Sequence, residues 1–255
     1  MSIAHSYLTF EYRNGHTVLA ASHVELPLFV QRPLRGPHGE AVVVILSPSG
    51  ALFDGDRLDL QVTCAAGTDV TLTTASATKL NRCPRDDIRF DLHVEVRGGA
   101  TFRYVPHELI PFRDTHYRQR ISLDIDADAR AWLLEVAGAG QTGAAFTYAR
   151  LDFATTLRRD QQVVARERFC MSPETAGQLQ GRTHYAGLFA LGPEWDPTSA
   201  RQVNDRLACE PLAGASTLPG GGVVARAVGD AAQSLRGRLL RAVDYPAWLT
   251  SLVPP

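Results

Sequence analysis

A unit of two short strands joined by a turn recurs three times in the middle of the chain, and it governs the fold more than any other segment. In each copy apolar and polar residues alternate, which is the pattern of a strand with one buried face. The copies occupy residues 60–72, 92–104 and 121–133, and their turns recur about 30 residues apart. One unit cannot bury its apolar face alone, so neighbours are expected to stack over a continuous core. The repeat therefore predicts an all-β-dominated fold of stacked β-sheets with β-helix-like (solenoid) topology.

Further strands are predicted on both sides of the repeat. Asn14-Gly15 is a strong hairpin turn signal between two alternating segments near the start of the chain. The run Ala41–Leu46 is apolar on both parities, which favours a strand that is covered on both faces. Residues 144–170 and 183–191 continue the strand pattern.

Two α-helices are predicted near the C-terminus. Asp196-Pro197 has the character of an N-cap followed by a first helical residue, and Asp230 is expected to cap the last helix. Residues 212–222 are rich in Gly, Pro and Ser and are predicted as a surface loop, followed by a strand at 223–228. We predict one domain over residues 1–255: stacked strands at 1–191, then helix, loop, strand, C-terminal helix and tail at 192–255.

Composition excludes several classes of protein. Hydrophobic residues make up 45% of the chain and charged residues 21%, and the formal net charge of −1 argues against nucleic acid as the main partner. The four cysteines stand far apart without a C-x-x-C pair, and no secretion signal is visible, which indicates reduced thiols in the cytoplasm. The longest aliphatic run, Ala41–Leu46, is far too short to cross a membrane.

No motif in the sequence indicates a catalytic activity. Residues 138–143 match G-x-G-x-x-G, but a dinucleotide site also needs a helix at that point, and the following residues alternate instead. No set of nucleophile, base and orienting group is visible, so we predict that the chain is not an enzyme. His107-Glu108 with Asp114 and His116 is the densest cluster of potential metal ligands, and surface-loop residues are its favoured explanation.

Four carboxylates stand where strands begin or end. Asp54 and Asp56 straddle Gly55, where they would either cap a turn or present two carboxylates to a hydrated divalent ion. Glu108 and Glu135 adjoin strands of the repeat, where an acidic side chain can point into an internal space that holds water. Nearby, residues 73–79 are hydroxyl-rich and basic, which is poor material for a core.

Three segments follow one another in a characteristic order: Ser47-Pro48-Ser49-Gly50, Gly55-Asp56-Arg57-Leu58 and Leu72-Thr73-Thr74-Ala75-Ser76-Ala77-Thr78-Lys79. This series resembles the UreD (or UreH) family of urease accessory proteins. Residues 103–112, 131–135, 183–186 and 223–240 are also similar to the family, in the same order. The chain departs from the family pattern at His107, where glutamine is usual, at Leu109, at Asn81-Arg82 and in a shortened C-terminal region.

The resemblance implies a non-enzymatic scaffold that binds apo-urease on one side and the accessory proteins UreF and UreG on the other. It also implies that Ni²⁺ passes through an internal channel, with no cofactor held tightly. On this hypothesis, weak and exchangeable oxygen ligands along the nickel passage come from Asp54, Asp56, Glu108 and Glu135. The channel mouth or partner surface is expected at Thr73, Thr74, Thr78, Lys79 and His107. Two alternatives stay open: a β-helix enzyme that acts on a polysaccharide, and an interaction module without a metal role.

Overall fold

The fold is built mainly from strands. The computed structural model describes residues 5–141, 145–208 and 212–246. The strands are β1 His5–Arg13, β2 His16–His23, β3 Phe29–Val30, β4 Leu34–Arg35, β5 Ala41–Leu46, β6 Arg57–Cys64, β7 Asp69–Thr74, β8 Thr78–Leu80, β9 Ile88–Val96, β10 Thr101–Tyr104, β11 Leu109–Pro111, β12 His116–Ile125, β13 Arg130–Gly138, β14 Arg150–Arg159, β15 Gln162–Met171, β16 His184–Leu191, β17 Ala213–Thr217 and β18 Gly222–Gly229. The helices are a 3₁₀ helix at Pro173–Leu179, α1 at Ser199–Leu207 and α2 at Ala232–Ala242.

Two sheets form the walls of a β-solenoid. The first sheet has the order β15-β14-β12-β9-β6-β1-β2, and the second runs β17-β18-β16-β13-β10-β7-β5-β3. Pairing is parallel from β1 through β14 in the first sheet and from β5 through β13 in the second. Each coil therefore places one strand in each sheet, as β6 with β7, β9 with β10 and β12 with β13. The predicted stacked solenoid is confirmed, with about four coils.

The coils stack in register, so equivalent residues of the repeat become cross-strand neighbours. Leu60 lies beside Leu92, and Leu92 lies beside Ile121. All three are buried in one apolar cluster between the sheets. The turns are locked in the same way, because the Gly67 N–H donates to the Gly98 carbonyl (3.0 Å) and the Gly98 N–H donates to Asp126 Oδ2 (2.9 Å). The apolar face of each coil is thus buried by the next coil, as the repeat requires.

A second core lies between the second sheet and the two α-helices. Leu235 and Leu239 of α2 belong to one cluster with Leu134 of β13 and Leu188 of β16. The strand β13 is therefore buried on both faces, unlike β12, whose residues alternate between buried and partly exposed. This difference explains why residues 131–138 carry so few charged side chains.

Several strand predictions are confirmed. The hairpin turn at Asn14-Gly15 joins β1 to β2, and both residues have the positive φ that such a turn requires. The run Ala41–Leu46 forms β5, which is largely buried. Residues 150–159, 162–171 and 184–191 form β14, β15 and β16. The strand predicted from residue 144 is wrong for residues 145–149, which form a turn in which Phe146 has a positive φ.

The C-terminal predictions need three corrections. The helix α1 begins at Ser199, because Asp196 Oδ1 accepts the N–H groups of Thr198 (2.8 Å) and Ser199 (2.9 Å) and closes the preceding turn instead. Asp230 does not cap α2: the N-cap is Ala231, and Asp230 pairs with Arg182 at 2.6 Å. The predicted loop at 212–222 contains the strand β17, which pairs with β18.

A side chain on α1 accounts for the strand β17. The Asn204 carboxamide donates to the Ala215 carbonyl (2.9 Å) and accepts the Ala215 N–H (2.8 Å). The small residues of β17 let the chain run close to this helix. Propensity alone gives no sign of such a tertiary contact, so the sequence pattern predicted a loop there.

Some predicted features lie wholly or partly outside the described residues. Cys64, Cys83 and Cys170 are free thiols, and Cys209 lies outside the described part of the chain. The end of the motif at 138–143 and the tail after residue 246 are likewise outside it. Within the residues described, no helix is long and apolar enough to span a membrane.

One arginine joins the end of the coil stack to the loops of the second sheet. At the end of β14, the Arg159 guanidinium donates to the carbonyls of Gly192, Gly220, Gly221 and Ala127. The last of these carbonyls belongs to the turn between β12 and β13. Arg159 therefore connects three separate loops through one charged group.

We expect Arg159→Ala to lower the free energy of unfolding by about 1–3 kcal/mol, because several carbonyls lose a charged donor at once. Urea unfolding checks this. Arg158→Ala is the matched control, since the polar partners of Arg158 among the described residues are Ser122 and Asp124 on the outer face. We expect this variant to change stability by less than about 1 kcal/mol. Equal losses in the two variants would contradict the assigned role.

Candidate functional site

Polar side chains interrupt the apolar interior at one level of the coil stack. Gln119 of β12 stands between Phe90 and Phe153 of the neighbouring strands. Thr155 of β14 stands beside Ile121, two residues further along β12. Glu135 of β13 faces them from the second sheet. These three polar residues form a buried row. The neighbours of Gln119 in register are Phe90 and Phe153, and the neighbour of Thr155 on β12 is Ile121, so both polar side chains stand beside apolar ones.

Hydrogen bonds connect this row across the space between the sheets. Gln119 Nε2 donates to Glu135 Oε1 at 2.7 Å, and the Thr155 hydroxyl lies 3.5 Å from the same oxygen. The Tyr117 hydroxyl donates to Gln119 Oε1 at 3.0 Å, which fixes the orientation of the carboxamide. Glu135 is therefore held by two strands of the opposite sheet, as a buried carboxyl group requires.

Burial makes Glu135 a weaker acid than an exposed glutamate. Loss of hydration raises the pKa of Glu135 to about 7, and the hydrogen bond from Gln119 only partly opposes this increase. The nearby Glu167 raises the pKa further, whereas Arg226, which is ion-paired with Glu167, lowers it. Near neutral pH, Glu135 is consequently present as both the acid and the carboxylate, and a small change in its surroundings shifts the balance.

A small cavity adjoins the Glu135 row. It has a volume of about 60 Å³, which is room for on the order of four water molecules. Its walls include Thr74, Thr78, His107, Gln119 and Glu135. The His107 N–H donates to the Thr74 hydroxyl at 2.9 Å, and His107 Nδ1 lies 3.0 Å from the Thr74 carbonyl oxygen. His107 is thereby fixed against β7 at the cavity wall.

An open groove lies on the outside of the molecule near the same end of the strands. It has a volume of about 760 Å³, and its lining includes Lys79, Glu108, Gly138 and His184. Gly138 lets the imidazole lie close to β13, because a Cβ at this position would stand 3.0 Å from His184 Nε2. Burial lowers the pKa of His184, while the charges of Glu108 and Asp230 act in the opposite direction.

The four predicted nickel-passage carboxylates occupy three different places. Glu135 lines the internal cavity and Glu108 lines the outer groove. Asp54 accepts the Asp86 N–H (2.8 Å) and pairs with Arg85 (3.2 Å). Burial alone would raise the pKa of Asp54, but these hydrogen bonds lower it overall. Asp56 accepts the Phe53 N–H at 2.8 Å, so it closes the turn before β6.

These residues do not converge on one metal centre. In the part of the chain that the structure describes, no group of three or more His, Cys, Asp and Glu side chains is placed to hold a metal ion. The same holds for the cluster of His107, Glu108, Asp114 and His116. His116 instead lies 3.8 Å from Asp152, on the outer face of the first sheet.

The predicted channel-mouth residues are also divided. Thr74, Thr78 and His107 line the internal cavity, and Lys79 lines the outer groove. Thr73 is fully buried, and its hydroxyl donates to the Val105 carbonyl at 2.7 Å. The expectation that residues 73–79 are poor core material is therefore wrong for Thr73 and Thr74, because hydrogen bonds between neighbouring coils satisfy their hydroxyls.

Sequence reasoning identified Glu135 but missed Gln119, Thr155 and Tyr117. The signal was present as parity: Gln119 and Thr155 occupy inward positions in strands whose other inward residues are apolar. On β7, Thr74 likewise occupies an inward position, after the apolar inward residues Val70 and Leu72. Comparing the inward positions of successive coils would have shown that these interruptions fall at one level.

The stacked parallel coils, with two sheets as walls, define a β-solenoid protein. The family model described as UreD urease accessory protein matches residues 2–252, and the chain belongs to that family. Its family-level role is thus in urease maturation. The chain is 31% identical over 229 residues to the urease accessory protein UreD of Deinococcus radiodurans, with 87% of this chain and 81% of that protein covered. It is 30% identical over 210 residues to UreD of Actinomyces naeslundii, which covers 79% of this chain and 78% of that protein.

The acidity of Glu135 predicts a pH dependence of stability. Its pKa rises from 4.5 to about 7 on folding, so the folded chain keeps a proton that the unfolded chain releases in this interval. The folded state therefore loses stability as pH rises from about 4.5 to about 7. Between pH 4 and pH 8, we expect Glu135 to lower the free energy of unfolding of the unmodified chain by about 1–3 kcal/mol. Glu135→Gln should not show this decrease.

Urea unfolding at several pH values measures this difference. Glu194→Gln is the control, because Glu194 is partly exposed and pairs with Arg130 at the surface. We expect the control to keep the pH profile of the unmodified chain. Parallel profiles for the unmodified chain and Glu135→Gln would show that Glu135 is not the buried titrating group.

Proposed function

We propose that the chain is a non-enzymatic scaffold that binds apo-urease together with UreF and UreG and lets Ni²⁺ pass through its interior. The carrying observation is the buried Glu135 beside a cavity with room for water, in a chain that belongs to a family of urease accessory proteins. Family membership favours this proposal over a polysaccharide-acting enzyme and over an interaction module without a metal role. Nickel is the cargo in this proposal, and no cofactor is tightly bound.

The chemistry of the cavity suits an ion in transit. One carboxylate with hydroxyl and carboxamide neighbours offers few, weak oxygen ligands, so an entering Ni²⁺ keeps most of its water and leaves readily. A Glu135 pKa near 7 means that the incoming cation competes with a proton for the same oxygens. Gln119 and Thr155 keep the carboxyl group in place in both forms.

The outer groove is the proposed mouth of the passage. Glu108 lines the groove, while the preceding residue, His107, lines the cavity, so one short segment borders both spaces. Thr78 and Lys79 repeat this arrangement on the neighbouring coil, because Leu109 and Ile110 pair with them in β8. A carboxylate and an ammonium group at this position would act on a cation that enters or leaves.

We expect Glu135→Gln to leave assembly with apo-urease, UreF and UreG intact but to lower the nickel content of urease by roughly tenfold, since a group beside the ion is neutralised. Co-purification reports assembly, and metal analysis with urease activity reports delivery. Glu194→Gln is again the control, and it should match the unmodified chain in both measurements. Failure of the unmodified chain to assemble would refute the scaffold. Full delivery by Glu135→Gln would refute only the passage at Glu135.

The same assay tests the mouth. Because Glu108 is partly exposed and lies at the groove, we expect Glu108→Gln to slow nickel delivery at limiting Ni²⁺ and to reach normal delivery when Ni²⁺ is in excess. Glu135→Gln should stay deficient in excess Ni²⁺. Identical responses of the two variants would contradict separate roles for groove and cavity.

A further inference from the structure

The outer face of the first sheet carries a group of arginines that the proposed function does not use. Arg120 lies on β12, and Arg166 and Arg168 lie on β15, all three exposed. Among the residues described, none of the three forms a hydrogen bond or an ion pair, unlike Arg118, which pairs with Asp87, and Arg150, which pairs with Asp152. In the described residues, these three guanidinium groups therefore form no ion pair, although Arg120 has Asp91 as a cross-strand neighbour.

Strand register places Arg120 and Arg168 on opposite sides of a shallow recess, with Arg166 two residues from Arg168 along β15. Ala154 of β14 pairs with Arg120 on one side and with Arg168 on the other. Thr156, the next outward residue of β14, pairs with Arg166. The strand between the arginines thus carries short side chains, and a groove of about 420 Å³ follows, lined in part by Arg120, Ala154 and Arg168. We call this feature the arginine slot: Arg120 and Arg168 flank Ala154, and Arg166 continues the row along β15 beside Thr156.

The charge and spacing of the arginine slot indicate the kind of ligand that it can bind. Arg166 and Arg168 are separated by about 7 Å along β15, which matches the spacing of alternate side chains in an extended peptide. Guanidinium groups bind carboxylates with two parallel hydrogen bonds, so Asp or Glu at alternate positions would fit. We propose that the arginine slot binds an acidic segment of a partner polypeptide.

A nucleic acid fits this surface less well. Asp91 and Asp152 stand on the same face, beside Arg120 and within the groove, so the basic surface is interrupted. A continuous line of phosphates would meet these carboxylates, whereas a short peptide can place its carboxylates opposite the arginines alone. Burial raises the pKa of Asp91, and the charge of the neighbouring Arg120 opposes this increase. None of the three arginines lines the internal cavity, although Gln119 and Phe153 border both the cavity and the groove.

The test uses the full-length chain and a fluorescein-labelled peptide of alternating glutamate and serine. Fluorescence anisotropy is measured at about 10 mM and about 100 mM ionic strength, because exposed charge contacts weaken as the screening length falls. We expect Arg120→Ser combined with Arg168→Ser to weaken binding roughly tenfold or more at the lower ionic strength. The matched control combines Arg35→Ser with Arg201→Ser, two exposed arginines that remove the same charge elsewhere. The control should retain binding within about twofold.

Three further measurements decide the inference. Arg120→Glu combined with Arg168→Glu should lose the glutamate peptide and gain the matched lysine-serine peptide. A labelled single-stranded oligonucleotide should bind more weakly than the glutamate peptide. The inference is overturned by no peptide binding to the unmodified chain at low ionic strength, by equal losses in the slot and control variants, or by tighter binding of the oligonucleotide through the same arginines.

Discussion

Burial of each coil's apolar face by the next coil is the constraint on which the structure depends. Leu60, Leu92 and Ile121 are side-by-side neighbours only because the parallel strands stack in register. A shift by one residue would turn every inward side chain outward, so the register is strongly fixed. Any polar residue at an inward position is consequently held inside and must find its partner across the space between the sheets. Glu135, Gln119 and Thr155 solve this problem together.

The parts of the fold that sequence predicts are those set by local pattern. Alternation with a period of two and turns at regular spacing are visible without knowing what lies nearby, so the solenoid and the first hairpin were correctly predicted. The strand β17 and the start of α1 depend on contacts made by Asn204 and Asp196. These contacts form between or ahead of regular elements, and residue propensity carries little information about them.

In the candidate site, too, some residues could be predicted from the sequence and others required knowledge of the strand pairing. Glu135 was predicted because an acidic residue in an apolar strand is conspicuous in the sequence. Its partners are less conspicuous, because glutamine and threonine are ordinary on the exposed face of a strand and become informative only when strand parity is fixed. Asp54 and Asp56 show the opposite case: their carboxylates bond to nearby backbone N–H groups, as residues flanking a turn glycine commonly do. Their sequence position alone did not separate that role from a role in nickel passage.

The interior polar row has a physical consequence for the whole molecule. Apolar residues at positions 119 and 155 would continue the ladders of the neighbouring strands, and an apolar residue at 135 would avoid the desolvation that raises the pKa of Glu135. The chain instead keeps a carboxyl group that is only partly compensated, next to a cavity with room for water. Sequences depart from the rule of consistent burial mainly at sites of function. The strands around Glu135 then matter as much as its carboxyl group. Because they are paired in fixed register, they can hold the protonated and the ionised form of Glu135 without opening the core.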